Sequence, residues 1–138
     1  VNREIKYRVW DIEDKRWIKQ SWKFHLEGDG TFHTYQKNIY EGNMEYNEVR
    51  QEFYTIQQFT GLKDKNGKDI YEGDLVTDTQ NNLYEVYWLD VNATFDLAIR
   101  NETETSHLGY NTQLSAEDIL SANIEVIGNI FDNKDLLK

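Results

Sequence analysis

Cysteine is absent from the chain. This excludes disulfide staples and thiolate metal sites and permits a reducing compartment. Proline is absent too, so chain reversals fall to glycine, asparagine and aspartate. No apolar run approaches the roughly 20 residues of a membrane-spanning helix. The charged opening Val1-Asn2-Arg3-Glu4-Ile5-Lys6 lacks the apolar region of a secretion signal. Asn92-Ala93-Thr94 and Asn101-Glu102-Thr103 match the glycosylation pattern, but such triplets recur by chance. The expectation is a soluble, cytoplasmic protein with no membrane partner. Positive charge is also scarce: 15 Lys and Arg stand against 25 Asp and Glu, a formal net charge of -10. An acidic field repels phosphate backbones, so general nucleic-acid binding is not expected. The small clusters Lys15, Arg16, Lys19 and Lys63, Lys65, Lys68 read as solvated turns.

Aromatics are plentiful at 14 % of 138 residues. Disordered chains are poor in them, and this length buries a core without staples. Period-two alternation dominates the pattern. Ile5, Tyr7 and Val9 alternate with Lys6 and Arg8. Trp22, Phe24 and Leu26 alternate with Lys23 and His25, then Glu27-Gly28-Asp29-Gly30 turns into a return strand over Thr31 to Tyr35. Gln36 to Asn47 is polar and reads as a mobile loop. Glu48 to Phe59 is ambiguous, but Phe53-Tyr54-Thr55-Ile56 favours a strand. Turns follow at Asp64-Lys65-Asn66-Gly67, Glu72-Gly73-Asp74, Asn81-Asn82 and Asn92-Ala93. Strands between them carry Leu75, Val86 and Leu97, and Val126 lies on a closing strand. These four are expected in one core with Trp88 nearby. Ser115-Ala116-Glu117-Asp118 starts a short helix.

The fold class expected is mainly β with a short helix. The C-terminal half forms a small bent sheet or a barrel of the Src-homology-3 type, and an N-terminal β-hairpin element packs on it. One domain spans residues 1–138, with a β element and loop over 1–47 and a barrel-like core over 48–138.

The run Phe59-Thr60-Gly61-Leu62-Lys63-Asp64-Lys65-Asn66-Gly67-Lys68-Asp69-Ile70-Tyr71-Glu72-Gly73-Asp74-Leu75-Val76 resembles the YopX family of phage and prophage proteins. Tyr7-Arg8-Val9-Trp10-Asp11 looks like that family's opening strand, and Ile124-Glu125-Val126-Ile127-Gly128-Asn129-Ile130-Phe131 looks like its closing strand. Trp17 to Gln51 matches no family motif. The tail Lys134-Asp135-Leu136-Leu137 lacks a proline common there. The resemblance implies a phage- or prophage-encoded cytoplasmic protein rich in β structure, and it carries over no catalytic residues.

The residues themselves point the same way. A two-residue turn at Gly28-Asp29 pairs His25 with Phe32 and Phe24 with His33. The two histidines then lie on opposite hairpin faces and share no metal. Asp64 to Asp69 lacks the glycine position and ligand spacing of a calcium loop. No nucleophile elbow, P-loop or dinucleotide fingerprint occurs. No catalytic residue, metal ligand or cofactor is expected. The protein reads as a non-catalytic accessory protein that binds a host or phage protein, with Trp17, Tyr35, Tyr40 and Tyr46 as the aromatic contact residues. The same surface could support a homo-oligomer. Two alternatives stay open: a nucleic-acid-associated module, and an enzyme with a carboxylate pair that sequence cannot locate.

Overall fold

The computed structural model describes residues 4–19, 24–29, 31–37, 42, 44–48, 51–101 and 112–137. In chain order these form β1 (Tyr7–Asp11), β2 (Arg16–Trp17), β3 (Phe24–Leu26), β4 (Phe32–Lys37), β5 (Met44–Glu48), β6 (Tyr54–Lys63), β7 (Asp69–Tyr71), β8 (Asp74–Thr77), β9 (Leu83–Leu89), β10 (Thr94–Ile99), β11 (Thr112–Gln113), the helix α1 (Ala116–Ala122) and β12 (Glu125–Asn129). Single 3-10 turns cover Gln51–Phe53 and Lys134–Leu137. The chain divides into two compact units, one of residues 8–56 and one of residues 1–7 with 57–138. The strand begun at Tyr54 in the first of these continues past Ile56 into the second.

In the unit of residues 8–56, β1 and β2 form a tight hairpin with Trp10 opposite Trp17. Asp11 Oδ1 accepts the backbone N–H groups of Glu13 and Asp14 at 3.1 and 2.9 Å, which fixes the turn. A separate antiparallel sheet runs β3-β4-β5. Two expectations change here. The segment read as a loop from Gln36 to Asn47 carries the end of β4 and most of β5, whose register sets Tyr35 opposite Tyr46. Its polar side chains hid a strand from a hydrophobic-period reading. The β3–β4 register also differs by one residue: His25 pairs with His33, and Leu26 with Phe32. The connection is longer than a two-residue turn. Glu27 N–H donates to Thr31 O at 2.8 Å, and Asp29 Oδ1 accepts both the N–H and the hydroxyl of Thr31. The two histidines therefore share a face.

The second unit is a curled antiparallel sheet of order β11-β10-β9-β8-β12, with the β6–β7 hairpin in the same unit. This is the bent-sheet alternative of the expected fold. One face buries Ile70, Val76, Tyr84, Val86, Phe95, Leu97, Leu114, Ile119, Ile124 and Val126 as a continuous cluster. Leu75 is fully buried as well. Its register partners are Glu85 and Gly128, whereas Val76 pairs with Tyr84 and Val126. Leu75 thus points to the opposite face of β8 from the other three residues expected in its core. Trp88 is the penultimate residue of β9 and is 39 % exposed, with its ring edge-on to Phe95 at 4.9 Å.

Turn chemistry fixes the connections. Gly67 has φ +81 and Gly73 has φ +77, as tight reversals require. Asn81 and Ala93 also adopt positive φ at their turns. Ser115 caps α1 through a reciprocal box with Asp118: the Ser115 hydroxyl accepts from Asp118 N–H, and the Asp118 carboxylate accepts from Ser115 N–H.

Candidate binding cleft

The middle and closing motifs meet through two buried carboxylates. Asp64 lies in the β6–β7 turn, 6 % exposed. Its Oδ1 accepts Asn66 and Lys68 N–H at 2.8 and 2.9 Å, and its Oδ2 accepts Val126 N–H at 3.0 Å. Burial alone would raise its pKa, but these three donors outweigh that and hold the carboxyl below its ordinary value. Asp74, 1 % exposed, accepts Tyr71 N–H at 2.8 Å and the Asn129 amide at 3.3 Å. Asn129 also donates to Gln57 Oε1 at 3.0 Å. Gly73 sits against this network, for a Cβ there would stand 2.0 Å from Gln57 Nε2. Asp64 and Asp74 are thus committed to shaping the chain.

Beside this frame lies an open cleft of about 690 Å³ between β6 and α1. Phe59 and Ile119, both largely buried, contribute apolar floor, and Leu62 is half-buried against the core. The strand bends here because the β6–β7 ladder breaks between Phe59 and Lys63. The Thr60 hydroxyl donates to Ile70 O at 2.8 Å and accepts Leu62 N–H at 3.2 Å. Gly61 takes φ +90, as a residue in a strand bulge can. Ala116 and Ile119, one helical turn apart, present the α1 side, and Asn123 ends that helix in a left-handed conformation.

The lip carries both signs of charge. Lys65 pairs with Glu125 at 2.6 Å, and Lys63 pairs with Asp69. Glu4 lies on the same lip and meets Lys6 Nζ at 3.0 Å. Lys6 also donates to Asp69 at 2.8 Å, its ammonium 4.8 Å from the Phe59 ring centroid. Hydrogen bonds from Lys6 to Asp69 and Glu4 raise the Lys6 pKa, and bonds from Lys6 and Lys63 lower that of Asp69. Among the described residues that line the cleft there is no serine, cysteine or histidine. It offers an apolar trough with paired charges at its edge, suited to a side chain of another molecule. Glu72 is a different case. Burial, and the nearby charges of Asp90 and Glu85, raise its pKa although it accepts Gln58 N–H.

Trp17, Tyr35 and Tyr46, expected to contact a partner, belong to the unit of residues 8–56, whereas the cleft is built from the other unit. Trp17 is half-buried, its ring 4.9 Å from Trp10 edge-on, with the Arg8 guanidinium 4.6 Å from its centroid. Tyr35 and Tyr46 share a register position across β4 and β5. Tyr40 lies outside the described residues. The cleft residues were missed because each has a plain structural reading alone. Gly61 within a strand pattern was the available signal of a bulge, and the Ser115 cap placed α1.

Among the described residues, no three or more His, Asp or Glu side chains converge as a metal site. No helix there is long and apolar enough to cross a membrane. The YopX protein family matches residues 6–138. No curated protein matches the chain by sequence. Among solved structures, the crystal structure of protein EF1440 from Enterococcus faecalis is similar, with TM-score 0.62 and 23 % identity over 99 % of this chain and 100 % of that one. That likeness concerns the fold.

Proposed function

The chain belongs to the YopX family, and from that premise we propose that it is a phage- or prophage-encoded accessory protein that acts by binding another protein rather than by catalysis. The observation that carries the reading is the cleft between β6 and α1, with its apolar floor and charged lip. Its occupant is a short segment of a partner protein that inserts an apolar side chain and carries basic residues beside it. An apolar side chain gains roughly 1.5–3 kcal/mol on full burial. The net charge of -10 attracts a basic segment and speeds encounter at low salt.

Asp64 and Asp74, the buried carboxylates beside the cleft, accept backbone and amide donors, which favours a binding role over acid–base work there. Trp17 meets Arg8 over its ring and Trp10 at its edge, which leaves it poorly suited to stack a base and weakens the nucleic-acid alternative.

The test is photo-cross-linking in host cells. A diazirine lysine analogue replaces Lys65 on the lip, and in a control it replaces Gln80, exposed in the turn before β9. A discrete protein adduct from position 65 and none from position 80 supports the reading. Equal adducts at both positions, or none at 65, contradict it.

A further inference from the structure

Asp90-Val91-Asn92-Ala93 joins β9 to β10, between the opposed residues Leu89 and Thr94. Asn92 N–H donates to Leu89 O at 3.3 Å and Ala93 N–H to Asp90 O at 3.2 Å, so the tip has a set shape. Aspartate and asparagine suit such a reversal, and a β-branched apolar residue does not. Val91 is nevertheless there, 90 % exposed, the most exposed of the large apolar residues described. At that exposure it stabilises nothing by burial in its own chain. The same unit carries the cleft between β6 and α1, with its floor of Phe59, Leu62 and Ile119. Among the described residues that line the cleft, none belongs to this hairpin. Tip and cleft are separate surfaces of one unit.

We propose that the Val91 tip of one copy of the chain docks in the cleft of the next. The inference rests on the cleft being the protein-docking site argued above. Val91 supplies the apolar insert. Asp90, exposed beside it, meets the lip lysines Lys63 and Lys65. A lysine ammonium carries three donors, so one that already holds Asp69 or Glu125 can take a second carboxylate. The contact joins two different surfaces. It is therefore heterologous, and it builds open chains or closed rings rather than a twofold dimer. The charge of -10 on every copy opposes it. The contact is accordingly weak, and it yields the cleft to a basic partner segment.

Sedimentation velocity of the whole protein at physiological salt tests this, from about 10 μM to about 1 mM, where small transient contacts become populated. The average mass should rise with concentration and pass that of a dimer. Val91→Asn leaves the charge unchanged and suits a turn, and Ala116→Trp obstructs the trough. Each should weaken association at least about tenfold. Both positions are exposed, so unchanged melting temperatures verify the folds. Mixed together, the two variants should form a one-to-one dimer of wild-type strength and nothing larger. The first keeps only its cleft and the second only its tip. The partner adduct at position 65 does not need Val91, so it survives if the self-contact alone is wrong. If the cleft reading is wrong, that adduct is missing whatever the sedimentation shows. A wild type that stays monomeric, a variant that associates as wild type does, or a mixture without the dimer overturns the proposal.

Discussion

Asp64 and Val126 lie 62 residues apart in sequence, and the Asp64 carboxylate accepts the Val126 backbone N–H at 3.0 Å. The same carboxylate closes the β6–β7 turn on Asn66 and Lys68. One side chain thus joins a local reversal to the closing strand. Asp64→Ala leaves three N–H groups without their acceptor, each costing about 1–3 kcal/mol where water cannot reach. A loss of at least about 2 kcal/mol is expected in urea unfolding. The folded-state pKa of Asp64 is lowered, so its stabilisation is present above the ordinary aspartate value of about 3.9 and is lost as pH falls through the folded value. Asp64→Asn should therefore show a shallower acid limb of stability than wild type. An unchanged acid limb contradicts the assignment.

Two glycines in the same unit separate backbone strain from steric conflict. Gly67 has open space where a Cβ would stand, so Gly67→Ala costs only the left-handed strain, about 1–2 kcal/mol. Gly73→Ala carries that strain and drives Gln57 from its place. Gln57 then gives up its bond to Asn129, and the buried Asn129 amide loses an acceptor. Gly73→Ala should cost more than Gly67→Ala by about 1–3 kcal/mol. Equal losses in denaturant titrations would show that Gln57 relaxes freely.

Glu72 gives the opposite pH sign from Asp64. Burial raises its folded-state pKa, so the folded protein holds the proton more tightly than the unfolded chain. The cost of ionising it appears as pH rises from the ordinary glutamate value of about 4.3 through the folded value. Glu72→Gln keeps an acceptor for Gln58 N–H and removes the charge. The variant should be more stable than wild type at neutral pH, and the difference should shrink toward pH 4. Thermal melts across that range check the sign.

The fold was legible wherever turn chemistry and alternation coincided. Gly67, Gly73, Asn81, Ala93 and the Ser115 cap each announced a reversal or a helix start, and the structure has them there. The strand register was less legible. At the β3–β4 hairpin, Asp29 bonds to Thr31 and lengthens the loop, and one residue of register moves His25 from opposite Phe32 to opposite His33. β5 was hidden because Met44-Glu45-Tyr46-Asn47-Glu48 offers little apolar alternation. Leu75 was assigned to the wrong side of β8 because both Leu75 and Val76 are buried, and a strand covered on both faces shows no period. The cleft was not legible, since it arises from a strand bulge at Gly61 and a helix contributed from elsewhere in the chain.

The net charge bears on the nucleic-acid alternative. Few phosphates can be neutralised at -10, so mobility shifts with duplex DNA at physiological salt should be absent at micromolar protein. Tight, salt-sensitive shifts would restore that alternative.

The most direct measurement is the affinity of the partner cross-linked at the cleft lip for wild type and for Ala116→Trp. Ala116 is exposed at the start of α1 and lines the cleft, so a large neutral side chain obstructs the trough without touching the core. If the cleft is the docking site, calorimetry shows affinity reduced at least about tenfold while the melting temperature holds. Equal affinity for the two proteins would contradict the account.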